Sequence, residues 1–170
     1  LDDHLERLAR SAAYWDYPCD GEAIRQMLTN FADEADPPAV VRLELDQYGQ
    51  ISLHPREVPD PPEGPVNIVL SPERVDESDR LYFHKTTLRD LYDRELQRVR
   101  DEGYFEAIFR NTSGHITEGC ITNLFIRQGD RWLTPPITDG LLPGIWRAHF
   151  IEETDVNEAS LSVEDIAEAD

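Results

Sequence analysis

Two kinds of apolar spacing alternate along this chain, and they restrict it to a fold that mixes helices with short strands. Helical spacing is predicted over residues 4–16 and again after Asp20. Strand-like runs bounded by glycine and proline follow, and a further helix and further strands come later. The polar stretch 71–82 separates the two groups of elements. The sequence therefore predicts an α+β chain of two lobes, residues 1–80 and 81–170.

Each lobe has its own set of predicted elements, delimited by apolar and turn residues. The predicted helices cover residues 4–16, a segment after Asp20, 87–101, 145–153 and a segment capped by Ser162. The predicted strands cover residues 40–45, 51–54, 66–70, 104–110, 121–127, 132–134 and 156–160. On this interpretation Glu118 lies in a turn between two strands.

The charge of the chain excludes several classes of partner. It carries 35 acidic and 16 basic residues, for a formal net charge of -19 at pH 7. Such a surface repels nucleic acid and anionic membranes, and no apolar run approaches the ~18 residues that span a bilayer. Two cysteines, and a start that is neither basic nor apolar, indicate a reducing cytoplasm. We therefore expect an acidic, cytoplasmic protein.

The basic residues are unusual, because a single lysine, Lys85, stands among 15 arginines. Arginine can replace lysine as a surface charge, but it cannot condense with an aldehyde or ketone, since its guanidinium stays protonated and delocalised. Lys85 is therefore a candidate Schiff-base lysine. The simpler interpretation is a surface residue without a special role.

Common site motifs are absent from the sequence. It has no Gly-x-Gly-x-x-Gly, no Walker A sequence and no Gly-x-Ser-x-Gly. Its five histidines and two cysteines lack metal-ligand spacing, so no metal site is predicted.

Three segments remain as candidates for a site. They are 84–89 around Lys85, 114–125 around Glu118, and 134–147, a Gly/Pro loop that leads into a predicted helix. A helix N-terminus suits a phosphate, because its free N–H groups point at the ligand. Taken alone, Glu118 could be a solvated turn residue and Gly144 an ordinary helix start.

In this order, the three segments resemble the fold-type-IV pyridoxal-phosphate enzymes, which include branched-chain and D-amino-acid aminotransferases and aminodeoxychorismate lyases. The first motif is His84-Lys85-Thr86-Thr87 with Arg89, Tyr92 and Asp93. The second is Thr117-Glu118-Gly119 with Thr122-Asn123-Leu124-Phe125. The third is Thr134-Pro135-Pro136 with Gly140-Leu141-Leu142-Pro143-Gly144-Ile145. The resemblance runs from about residue 2 to 170 and is closest to the lyase-like members.

The resemblance implies a cofactor, pyridoxal 5'-phosphate, and a role for each matched residue. Lys85 would hold the cofactor as a Schiff base and then carry a proton. Glu118 would pair with the ring nitrogen and keep it protonated, so that the ring can accept electrons. Leu142 would pack on the face of the ring. The remaining expected cofactor residues are Arg7, Ile145 and Trp146 at the phosphate, and Thr122 and Asn123 near the ring.

The sequence departs from the family pattern in several places. Family members have two strands before the first helix and a further strand after the last, so we expect this chain to lack terminal segments. Asp90 stands where branched-chain aminotransferases have tyrosine, and Trp146 where threonine is frequent. The family usually forms homodimers, and the resemblance implies the same here.

The implied reaction is the conversion of 4-amino-4-deoxychorismate to 4-aminobenzoate and pyruvate, in folate biosynthesis. The alternative within the family is a class IV amino-acid aminotransferase with a branched-chain or D-amino acid as substrate. Either enzyme would act on a small-molecule amine. An alternative of another class is a non-catalytic acidic relic or binding domain.

Overall fold

The structure is a computed structural model that describes residues 1–35 and 39–170. It divides into two compact units, Leu1–Glu63 and Gly64–Asp170. In each unit helices accompany antiparallel or mixed sheet, which confirms the predicted α+β class.

The first unit contains helices α1 (Asp2–Tyr14) and α2 (Gly21–Glu34) and strands β1 (Ala39–Leu45) and β2 (Ile51–Glu57). The Asp20 side chain accepts a hydrogen bond from the N–H of Ala23 at 3.0 Å, so the predicted cap of α2 is confirmed. The two strands pair in an antiparallel hairpin, with Leu43 opposite Leu53.

The second unit contains three helices and six strands. The helices are α3 (Asp90–Asp101), α4 (Ile145–Glu153) and α5 (Val163–Ala167). The strands are β3 (Ile68–Val75), β4 (Glu106–Asn111), β5 (Ile116–Gly119), β6 (Ile126–Gln128), β7 (Arg131–Thr134) and β8 (Val156–Glu158). They form two three-stranded sheets, β3-β4-β5 and β6-β7-β8, and each contains one parallel and one antiparallel pair.

The division between the units comes earlier than the predicted 80/81 boundary. Strand β3 pairs in parallel with β4, so residues 68–75 belong to the second unit. The polar stretch 71–82 contains the end of that strand and a 3-10 turn, Arg80–Phe83. Its polarity reflects the exposed residues 72–74 of that strand and the exposed or half-buried residues 76–82, and the linker lies before it.

Two apolar clusters form the core of the second unit and set where its site lies. One lies between α3 and the β3-β4-β5 sheet and consists of Val75, Tyr92, Val99, Ala107, Phe109 and Cys120. The other consists of Ile108, Ile116, Ile126 and Leu161. Strand β4 contributes to both clusters because its alternate side chains point to opposite faces of the sheet. The end of β5 lies beside this core.

Two local predictions differ from the structure at the site. Glu118 lies in β5 rather than in a turn, and the turn follows it. Helix α3 begins at Asp90, and residues 84–89 form a loop. In that loop the hydroxyl of Thr86 accepts a hydrogen bond from the N–H of Leu88 at 3.2 Å, a local contact that competes with helical pairing. Within residues 1–35 and 39–170, no helix is long and apolar enough to cross a membrane.

Candidate active site

A buried carboxylate, that of Glu118, lies at the centre of the candidate site. Glu118 is the third residue of β5 and is only 8% exposed. All four residues of this strand are buried, because β5 pairs with β4 against the core. A charged side chain in such surroundings requires hydrogen-bond partners.

Three donors hold the Glu118 carboxylate. The Tyr92 hydroxyl, from α3, donates to Oε1 at 3.2 Å. The backbone N–H of Leu142 donates to the same oxygen at 3.2 Å. The Asn123 side-chain amide donates to Oε2 at 3.1 Å. Because the donors come from three separate segments, the orientation of the carboxylate is fixed from three sides.

Opposing effects set the acidity of Glu118. Burial is the largest effect and raises the pKa of its carboxyl to about 7. The hydrogen bonds from Leu142 and Tyr92 lower this pKa, and so do the positive charges of Lys85 and Arg89. The carboxyl is therefore near its midpoint at neutral pH, and a further cation beside it would favour the ionised form.

Lys85 lies in the loop between the 3-10 turn and α3, and its side chain is exposed. Its charge is close enough to Glu118 to lower the pKa of that carboxyl. The second unit therefore brings the only lysine of the chain near the buried carboxyl of Glu118.

Asn123 links the buried acid to the start of α4. Its amide donates to the carbonyl oxygen of Leu142 at 3.1 Å as well as to Glu118. A Cβ atom on Gly144 would lie only 3.2 Å from the Asn123 amide carbon and would overlap the amide oxygen. Glycine at position 144 therefore lets Asn123 reach the helix end.

The first turn of α4 presents backbone donors. Gly144 is the N-cap and provides no capping side chain, and Ile145 and Trp146 are the first two helical residues. The Trp146 side chain is 65% exposed and stacks on Phe150 with the ring centroids 4.8 Å apart. The first N–H groups of a helix have no partner within it, so this helix start can donate to a ligand.

Two other predicted residues contribute in ways that the sequence did not specify. Leu142 meets Glu118 and Asn123 through its backbone, and its side chain is half-buried. The Thr122 hydroxyl donates to the carboxylate of Glu106.

Arg7 belongs to the first unit, on α1, where burial and the charge of Arg10 lower the pKa of its guanidinium.

Two residues with clear roles at the site were missed, although both stand in the first motif. Tyr92 is a direct partner of Glu118. Arg89 donates to the carbonyl oxygen of Cys120 at 2.6 Å, and its guanidinium lies 5.3 Å from the centre of the Tyr92 ring. The spacing of Arg89 and Tyr92 from Lys85 was the available signal, but a role for them requires the contact between α3 and β5.

The residues fit a planar cofactor that is cationic at one end and anionic at the other. Oε2 of Glu118 accepts one hydrogen bond among the described residues, which leaves a lone pair for a protonated ring nitrogen. The start of α4 suits a phosphate. Among residues 1–35 and 39–170, no three His, Cys, Asp or Glu side chains are grouped as metal ligands.

Known proteins are similar to this chain in fold or in sequence. The solved structure of a provisionally named amino-acid aminotransferase from Mesorhizobium loti superposes with a TM-score of 0.90 at 34% identity, over 99% of this chain and 82% of that one. A provisionally named aminodeoxychorismate lyase of Schizosaccharomyces pombe is 26% identical, over 93% of this chain and 70% of that protein. The aminodeoxychorismate lyase of Bacillus subtilis is 28% identical, over 89% of this chain and 58% of that protein.

The fold is that of the fold-type-IV enzymes. Residues 1–170 match the amino-transferase class IV family, and the chain belongs to that family. Its members depend on pyridoxal phosphate. The resemblance inferred from the three motifs is thus confirmed.

Proposed function

We propose that this protein binds pyridoxal phosphate and converts 4-amino-4-deoxychorismate to 4-aminobenzoate and pyruvate. The observation that carries the proposal is the buried Glu118 carboxylate, held by Tyr92, Leu142 and Asn123 and acted on by the charge of Lys85. The lyase names of the Schizosaccharomyces and Bacillus relatives support this choice of reaction.

When bound, pyridoxal phosphate supplies an aldehyde that condenses with amines and a ring that withdraws electrons from the reacting carbon. Lys85 provides the only side-chain amine of the chain, and its Nζ accepts the proton that leaves the amine-bearing carbon of the substrate. Its exposed position lets a substrate amine approach.

Glu118 binds the protonated ring nitrogen through its Oε2 atom and stays ionised while that charge is beside it. Ile145 and Trp146 donate their backbone N–H groups to the phosphate. The protein acts as a homodimer in the cytoplasm.

The proposal is tested on the full-length protein in two stages. Purified protein should absorb visible light when pyridoxal phosphate is added, and borohydride should fix the cofactor on Lys85. A protein that stays colourless with excess cofactor contradicts cofactor binding and favours a non-catalytic binding domain.

The second stage separates the lyase from an aminotransferase, the activity named for the Mesorhizobium relative. Release of 4-aminobenzoate is measured beside glutamate-dependent transamination of branched-chain and D-amino acids. We expect 4-aminobenzoate from the loaded enzyme. Transamination without 4-aminobenzoate would replace the lyase assignment and leave cofactor binding intact.

A further inference from the structure

Another buried acid, Glu106, contacts the turn that follows Glu118. It begins β4 and is only 3% exposed. Its Oε2 accepts the backbone N–H of Ile121 at 3.0 Å, and its Oε1 accepts the hydroxyl of Thr122. Both donors are neutral groups, so they compensate the burial of a carboxylate less well than a cation would. A buried carboxylate that is bound by these neutral donors is a candidate for a specific structural or functional role.

The turn that Glu106 binds is tightly closed. The N–H of Gly119 donates to the carbonyl oxygen of Thr122 at 2.8 Å, across Cys120 and Ile121. The N–H of Cys120 donates to the carbonyl oxygen of Ala107 at 3.0 Å, which attaches the turn to β4. The turn is therefore held both across its own ends and from the neighbouring strand.

The closed turn determines how two residues of the candidate site meet. Glu118 and Asn123 flank the turn and form an antiparallel bridge. Their side chains join through the 3.1 Å hydrogen bond from the Asn123 amide to the Glu118 carboxylate. A change in the turn would move these two groups relative to each other and to Gly144.

Gly119 shows how closely Glu106 packs against the turn. A Cβ atom on Gly119 would lie 2.6 Å from the Glu106 carboxyl carbon and 2.8 Å from the Thr122 hydroxyl oxygen. Both distances are shorter than real Cβ contacts. A side chain at position 119 would therefore have to displace the carboxylate or the hydroxyl.

We infer that Glu106 is a positioning residue for the cofactor site, whose carboxylate keeps the 119–122 turn closed so that Glu118 and Asn123 stay aligned with the cofactor ring. The inference rests on the proposed binding of pyridoxal phosphate. It also gives Thr122 an indirect role, because its hydroxyl acts through Glu106.

The first test compares Glu106→Met with Glu106→Gln in the full-length protein. Methionine keeps the length of the side chain but accepts no hydrogen bond from Ile121. Glutamine keeps an acceptor for that N–H, and its amide can donate to the Thr122 oxygen. We expect Glu106→Met to raise the Kd for pyridoxal phosphate about tenfold or more, as the loss of its hydrogen bonds from Ile121 and Thr122 allows. Glu106→Gln should raise it less than about threefold.

A readout beyond affinity separates alignment from loss of stability. Pyridoxal phosphate labelled with 15N at the ring reports by NMR the pH at which the ring nitrogen loses its proton. In Glu106→Met this pH should fall, because a displaced Glu118 favours the protonated ring less. Glu95→Gln is the matched control, since Glu95 is also 3% exposed but binds Ser71 and Arg98. It should lower thermal stability and leave both cofactor readouts unchanged.

A double-mutant cycle tests whether Thr122 acts through Glu106. Thr122→Val should raise the Kd in the wild-type background, and Thr122→Ser should restore it. In the Glu106→Met background Thr122→Val should have little further effect, since its partner is gone. Additive effects would show that Thr122 binds the cofactor directly and would overturn its indirect role.

The outcomes separate the inference from the proposed function. Failure of wild-type protein to bind pyridoxal phosphate would contradict the proposed function. If wild type binds, an unchanged Kd and an unchanged ring-nitrogen titration in Glu106→Met would overturn the inference. If Glu106→Met does not fold, the test of the inference is Thr122→Val. Equal affinity of Thr122→Val and wild type for pyridoxal phosphate would then overturn the inference.

Discussion

The loop of Lys85 and the turn after Glu118 lie in the same unit but are built in opposite ways. Lys85 is exposed in a loop that is shaped by hydrogen bonds between residues close in sequence, such as the one from the N–H of Leu88 to the hydroxyl of Thr86. Glu118 is buried, and side chains or backbone from three other segments hold its carboxylate. A reactive amine must be reachable by substrate, whereas a group that stabilises charge works best when it is fixed beforehand.

This difference predicts which substitutions change chemistry and which also change stability. Variants of the exposed loop should alter reactivity and leave the fold intact. Variants around Glu118 should alter cofactor binding, pH dependence and stability together, because the same hydrogen bonds serve all three. The following predictions proceed from the largest expected effect to the smallest.

Replacing Lys85 with arginine should have the largest effect on activity. The guanidinium keeps the positive charge near Glu118 but cannot condense with an aldehyde, so turnover should fall about a thousandfold or more. The free energy of unfolding should change by less than about 0.5 kcal/mol, as is usual for exposed positions. Steady-state assays and denaturant unfolding measure the two effects, and a substantially active Lys85→Arg protein would contradict the role of the amine.

Removing the charge of Glu118 should change how stability depends on pH. Its pKa is about 7 in the folded protein, against an ordinary value of 4.5. The folded state therefore binds this proton more tightly than the unfolded state does. The resulting contribution of Glu118 to the free energy of unfolding is fully present below pH 4.5 and is lost as the pH rises to about 7. The loss amounts to about 3 kcal/mol.

The measurement is the unfolding free energy of the cofactor-free wild type minus that of Glu118→Gln, between pH 4.5 and 8. The difference should decline across this range and level off above pH 7. The exposed Glu152→Gln, on α4, is the control and should give a constant difference. A constant difference for Glu118→Gln as well would mean that burial does not govern this carboxyl.

Gly144→Ala tests the link between the turn and α4. The added methyl group would displace the Asn123 amide, which would lose its hydrogen bonds to Glu118 and Leu142. We expect a loss of about 1–3 kcal/mol in stability and about a tenfold weaker affinity for pyridoxal phosphate. Gly64→Ala is the matched control, since a Cβ there meets nothing within 4 Å. Equal behaviour of the two variants would show that Asn123 adapts without cost.

Tyr92→Phe should have the smallest effect of the series. It removes the hydroxyl that donates to Glu118 but keeps the ring packed against Phe109. Loss of this hydrogen bond should cost about 0.5–1.5 kcal/mol and should raise the pKa of Glu118, because the bond favours the ionised form. Calorimetry and pH titration of cofactor binding measure both, with Tyr82→Phe on the neighbouring ring as the comparison. No shift in the titration would show that Leu142 and Asn123 suffice.

Features with local causes were predictable from the sequence. The Asp20 cap and helix α4 follow from residues next to one another, and the structure has both. The parallel pairing of β3 with β4 was not predictable, because nothing within residues 66–70 specifies a distant partner. The predicted boundary at 80/81 was therefore too late.

In the candidate site, too, features with a local sequence pattern were predictable and contacts between distant segments were not. The three motifs located Lys85, Glu118 and the start of α4, since each has a recognisable local sequence. The contacts of Tyr92 and Glu106 depend on how α3 and β4 pack against the turn, and a helical tyrosine or a strand-end glutamate has no distinctive local pattern. Only the folded chain shows that Asn123 touches both Glu118 and the helix end.

The central claim is that the buried Glu118 carboxylate faces the cofactor ring nitrogen. The most direct measurement is 15N NMR of ring-labelled pyridoxal phosphate bound to wild type and to Glu118→Gln at pH 7.5. The claim predicts a protonated ring nitrogen in wild type and an unprotonated one in Glu118→Gln. The same chemical shift in both proteins would contradict it.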